Sequence, residues 1–171
     1  MRGKVLIIDT SILCVWLKVR DMDTCGPEAD KWDYNRVKEK IDSEKQSGTI
    51  FVLPLASIIE TGNHIAHSNG DKKDPAEELV NIIYSAIDSA TPWAAFEEQK
   101  DLWESEGLKK LVEEWRKTVH SKQSLADASI VTVANKYSDL GYCVEILTGD
   151  GGLKAYEPRE LELIYTPRRR K

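Results

Sequence analysis

Cysteine is scarce in this 171-residue chain: Cys14, Cys25 and Cys143 are the only three, and none stands at C-x-x-C spacing. An odd, scattered set of this kind excludes a disulfide framework and reads as reduced thiols in a cytoplasmic protein. Apolar runs are short. None approaches the roughly 20 residues of a membrane-spanning helix, and Met1-Arg2-Gly3-Lys4 leads straight into a strand-like run without a signal-peptide pattern. Basic charge is not in excess. With 24 Lys and Arg against 29 Asp and Glu the net charge is −5, which argues against a protein that coats nucleic acid non-specifically. The phosphate-cradling signatures G-x-x-x-x-G-K-[ST] and G-x-G-x-x-G are missing, as are internal repeats and low-complexity segments. What remains is one domain, 41% hydrophobic and 31% charged, long enough to bury a core without staples.

The chain is organised around Lys4-Val5-Leu6-Ile7-Ile8-Asp9-Thr10-Ser11. Its β-branched apolar run is the signature of a strand buried on both faces of a parallel sheet, and it ends abruptly on a carboxylate. A second strand is predicted over 49–53, closed by Pro54, a late one over 143–147, and a last one over 161–165. A further strand over 87–93 lacks clear alternation. Helices are predicted over 11–19 and 34–47, from about Ser57 towards His67, and over 76–89, 94–119, 124–138 and 152–156. Residues 20–33, broken by Gly26-Pro27, and 69–75 read as loops. Strand–helix alternation implies an α/β fold with a mostly parallel sheet. The five tryptophans are expected to fill the helical side of the core or an interface.

Four carboxylates share one address. Asp9 and Asp150 each end a predicted buried strand, and neighbouring strands lie about 4.8 Å apart, so two such side chains can share an ion. Glu60 and Asp127 stand in Ser57-Ile58-Ile59-Glu60 and Ser124-Leu125-Ala126-Asp127. Three of them have a plain structural role open to them: Asp9 as a helix cap, Glu60 and Asp127 in capping boxes. Gathered at one sheet edge, however, the four repel one another unless cations lie between them. An all-oxygen set suits Mg²⁺ or Mn²⁺ and not Zn²⁺.

In order and spacing, Asp9-Thr10-Ser11 after strand one, Glu60 after the Pro-ended second strand, Ser124-x-x-Asp127 and Leu147-Thr148-Gly149-Asp150 resemble the PIN domain, a family of metal-dependent ribonucleases that includes bacterial toxins of toxin–antitoxin pairs. The resemblance runs from Ile8 to about Tyr156. It implies a three-layer α/β/α fold with four or five strands in the order 3-2-1-4-5. Asp9, Glu60, Asp127 and Asp150 become the catalytic and metal-binding set, supported by Thr10, Ser11, Ser124 and Thr148. The implied activity is Mg²⁺- or Mn²⁺-dependent hydrolysis of RNA phosphodiester bonds. Implied partners are the RNA and a neutralising protein antitoxin, with a second copy of the chain as a further candidate. The chain departs from the small toxins by its longer 20–48 and 70–120 regions and its indistinct third strand.

Lys117, Lys122 and Lys154 are the nearest basic candidates for holding an RNA backbone, with solvated surface lysines as the alternative. His64 and His67, three apart, lack the further ligands of a zinc site. Arg168-Arg169-Arg170-Lys171 reads as a solvated end. Two other readings stay open: a PIN-like binding module without activity, and a structure-specific DNA nuclease using the same acids.

Overall fold

A computed structural model describes residues 3–159. The strand expected over 161–165 and the basic end at 168–171 lie outside them. The chain builds an α/β architecture around a three-stranded parallel sheet. Its centre is β1 (Lys4–Ile8), in which Val5 to Ile8 are fully buried. Alternating side chains of a strand point to opposite faces, and here each face has its own core. Leu6 and Ile8 belong to one apolar cluster, Val5 and Ile7 to the other. That double burial is why the sequence shows a continuous apolar run and no alternation.

The first face is covered by α1 (Thr10–Trp16), α2 (Tyr34–Gln46), part of α3 (Leu55–His67) and α4 (Lys73–Ile87), through Ile12, Val37, Ile41, Ile65 and Leu79. The second is covered by α5 (Lys100–Trp103), α6 (Ser105–Thr118) and α7 (Leu125–Asp139), through Leu102, Leu111, Ile130 and Val133. The remaining strands are β4 (Ile50–Val52) and β5 (Cys143–Leu147), one on each side of β1. Between α1 and α2 lies a small antiparallel pair, β2 (Thr24–Cys25) and β3 (Trp32–Asp33), inside the segment read as a loop. Helix α8 (Gly151–Lys154) follows β5.

The indistinct strand over 87–93 is one bridge rather than a strand. Phe51 donates to Pro92 O at 2.8 Å and Ala94 donates to Phe51 O at 2.8 Å, which places Trp93 beside β4 on the edge away from β1. Helix α4 occupies the residues up to Ile87, so its amphipathic pattern wins over strand formation there.

Opposite the carboxyl edge, an ionic network ties the start of the sheet to α2. Lys4 Nζ contacts Glu44 at 2.5 Å and Glu145 at 2.7 Å, while Lys40 Nζ reaches the same two carboxylates at 2.8 and 3.0 Å. At the outer edge of β5, Ile146 N donates to Glu157 Oε2 at 2.6 Å and Lys154 Nζ donates to Ile146 O at 3.0 Å. Side chains thereby satisfy backbone groups that an edge strand would otherwise offer to another chain. Among the described residues no helix is long and apolar enough to cross a membrane.

Candidate active site

Parallel strands deliver their carboxyl ends to one edge, and α1, α3 and α8 begin there directly after β1, β4 and β5. The short connection 140–142 turns α7 back into β5, so the start of α7 lies at that edge too. Each of the four carboxylates sits in the cap, first turn or second turn of one of these helices.

Asp9 is the most firmly held. It is buried at the N-cap of α1, and its Oδ2 accepts from Ser11 Oγ at 2.7 Å, Ser11 N at 3.3 Å and Thr148 Oγ1 at 2.7 Å. Thr148 is itself buried after β5, and its hydroxyl oxygen accepts from Asp150 N at 2.9 Å. One hydroxyl therefore joins the ends of β1 and β5. Ser11 makes a second tie, because its Oγ accepts from Gly149 N at 3.0 Å. Asp150 caps α8 through Oδ1, which accepts from Gly152 N at 2.6 Å and Leu153 N at 3.3 Å. Glu60 is linked to the same edge by Thr10, whose hydroxyl donates to Glu60 Oε2 at 2.9 Å.

Asp127 stands apart. Its Oδ2 accepts from Ser124 N at 3.1 Å while its N–H donates to Ser124 Oγ at 3.0 Å, a complete capping box. No hydrogen bond joins it to the other three acids among the described residues. Ser57 and Glu60, by contrast, form no capping box. Helix α3 starts two residues before Ser57 with Pro54 as its cap, and Ser57 is fully buried with a hydroxyl that has no partner among the described residues. Proline at the start of a helix requires no N–H partner there, so α3 begins earlier than a serine cap suggests.

The basic candidates are mostly committed elsewhere. Lys154 is held by Ile146 O and by Glu157 at 2.6 Å, and Lys117 pairs with Glu114 at 2.8 Å on an exposed helix face. Lys122 is exposed in a left-handed turn at φ 63 after α6. Both thiols near the site are shifted away from the thiolate form. Burial pushes Cys14 up to about 12, and burial likewise raises Cys25, which lies beside Ser11.

The chain matches no protein-family model, no curated protein and no solved structure. The chemistry therefore rests on the residues themselves. Each of the four carboxylates commits one oxygen to the scaffold and leaves the other without a donor among the described residues. None of the four has an ion-pair partner there, although eleven other Asp and Glu side chains do. Hard divalent cations take such unpaired carboxylate oxygens. Among the described residues, no three His, Cys, Asp or Glu side chains are grouped closely enough to hold one ion. A large cleft of about 1100 Å³, lined by Trp16, Tyr34, Lys45 and Trp93, contains none of the four acids.

The contribution of the 24–33 hairpin to this edge was not legible in the sequence. A Cβ on Gly149 would lie 2.7 Å from both Cys25 Sγ and Gly26 N, so the absence of a side chain lets the hairpin pack on the Thr148-Gly149-Asp150 turn. The only local signal was Gly26-Pro27, which marks a turn but not its tertiary contact.

Proposed function

We propose that this chain is a PIN-like endoribonuclease that hydrolyses RNA phosphodiester bonds with Mg²⁺ or Mn²⁺ at the sheet edge that carries Asp9, Glu60, Asp127 and Asp150, where one or two carboxylates would hold an ion and water and the RNA phosphate would complete its shell. The observation that carries this reading is the group of unpaired acids at one sheet edge, each with one oxygen tied down and one left over. A hard cation bound there supplies positive charge against the phosphoryl oxygens of the substrate. The residues of the chain do the positioning. Thr148 and Ser11 fix the Asp9 carboxylate, Thr10 fixes Glu60, and two backbone N–H groups fix Asp150. Phosphoryl transfer depends on this kind of positioning and charge neutralisation more than on a covalent nucleophile. In this reading the bridge at Trp93 supplies the position beyond β4 in a 3-2-1-4-5 sheet. A protein inhibitor fits the same mouth, because an Arg or Lys can pair with carboxylates that hold metal.

One observation favours a second reading. The capping box of Asp127 gives that acid a full structural role, as a PIN-like binding module without activity would show. Incubation of the purified chain with single-stranded RNA in Mn²⁺ separates the two. Cleavage that is lost in EDTA and in Asp9→Asn, Glu60→Gln and Asp150→Asn supports the nuclease. RNA binding without cleavage selects the module, and cleavage confined to DNA selects the third chemistry.

A further inference from the structure

The hairpin of residues 24–33 brings one more pair of side chains to the candidate active site. Cys25, which touches the Gly149 turn and lies beside Ser11, is in register with Trp32 across β2 and β3. The guanidinium of Arg36, on the first turn of α2, stacks on Trp32 with Cζ 3.8 Å from the ring centroid. Because Cys25 and Gly26 pack on the Gly149 turn and Arg36 stacks on the Trp32 ring across from Cys25, the guanidinium stands on the hairpin that adjoins the acidic edge. Arg36 is also held in place. Its Nη2 contacts Asp30 at 2.6 Å and its Nη1 donates to Lys31 O at 2.8 Å, while its side chain remains 42% exposed. Trp32 packs in turn against the first core cluster.

We propose that the Arg36–Trp32 stack seats a nucleobase of single-stranded RNA next to the candidate active site, an inference that rests on the ribonuclease reading above. A guanidinium is planar, delocalised and weakly hydrated, so it carries a base on one face while an aromatic ring backs the other. The ring, the carboxylate of Asp30 and the carbonyl of Lys31 hold the plane before substrate arrives, which lowers the ordering cost on binding. A lysine keeps the charge but has no plane to stack.

The test is steady-state cleavage of a single-stranded RNA by the full chain in Mn²⁺, beside fluorescence anisotropy of the same labelled RNA without metal. Base stacking on such a platform is worth on the order of a tenfold change in affinity. Arg36→Lys and Arg36→Ala are expected to raise KM and the binding constant by about that factor with kcat retained. Asp30→Asn, which loosens one of the holds on the guanidinium but keeps its plane and the stack on Trp32, is expected to raise KM less than Arg36→Lys does. Equal KM for wild type and Arg36→Lys overturns the proposal. So does Asp30→Asn matching Arg36→Ala, which makes Arg36 a brace for the hairpin. Should the wild type bind RNA through Arg36 yet cleave none, the nuclease reading fails and the base seat stands. Absence of both binding and cleavage overturns the two together.

Discussion

The Glu44→Gln substitution tests the electrostatic description of the fold where its size can be worked out. Burial alone would raise the Glu44 pKa, but hydrogen bonds from Lys4, Lys40 and Thr49 outweigh it and hold the carboxylate at about 2, against an ordinary 4.5. The side chain is only 10% exposed, so solvent screens little of this. One pKa unit corresponds to about 1.4 kcal/mol, so ionised Glu44 stabilises the native state by about 3 kcal/mol at neutral pH. Because the folded pKa is depressed, that stability is complete above the unfolded value and is lost as pH falls from about 4.5 towards about 2. Lys4, which loses solvation but gains Glu145 and Glu44, is shifted upward and stays protonated across this window, so Glu44 is the partner of the pair that titrates there. Urea unfolding of wild type and Glu44→Gln should differ by about 3 kcal/mol at pH 7 and converge in acid. A gap that stays the same from neutral pH down through the folded pKa refutes the reasoning, because the lost stability is then packing and not charge.

Four further outcomes follow from the same contacts. Mn²⁺ should raise the melting temperature of the wild type and not of Asp9→Asn, since an ion that binds only the folded state stabilises it by mass action; an unchanged shift in the variant places the ion elsewhere. Ser124→Ala should cost about 1 kcal/mol in chemical denaturation through the lost cap on α7 while cleavage persists, and loss of cleavage at full stability would contradict that. Gly149→Ala sets a methyl 2.7 Å from Gly26 N, so it should loosen the hairpin, detected as faster amide exchange over 24–33, with unaltered exchange as the contrary result. Lys154→Ala exposes Ile146 O at the edge of β5 and should promote self-association in sedimentation while leaving cleavage intact; a cleavage defect without association would return Lys154 to the substrate.

Much of the frame was legible in the chain because it depends on local pattern. The buried run of β1 and the apolar β5 predict strands, and Ser124-x-x-Asp127 marks the start of α7, because continuous apolar stretches and caps are properties of neighbouring residues. The alternation of strand and helix also implied the parallel sheet, and with it one edge for Asp9, Glu60, Asp127 and Asp150. What tertiary structure alone decided are contacts between residues far apart in sequence. Thr148 reaches Asp9 across 139 positions, and Thr10 reaches Glu60 across 50. Lys154 donates to Ile146 O at a strand edge, and the segment read as a loop packs on Gly149 beside the acids. Hydrogen bonds, ion pairs and close backbone approach act through space, and a carboxylate's role is set by which donors reach it first. For Asp127 that donor is Ser124, three residues away; for Asp9 it includes a hydroxyl that only the pairing of β1 with β5 brings near.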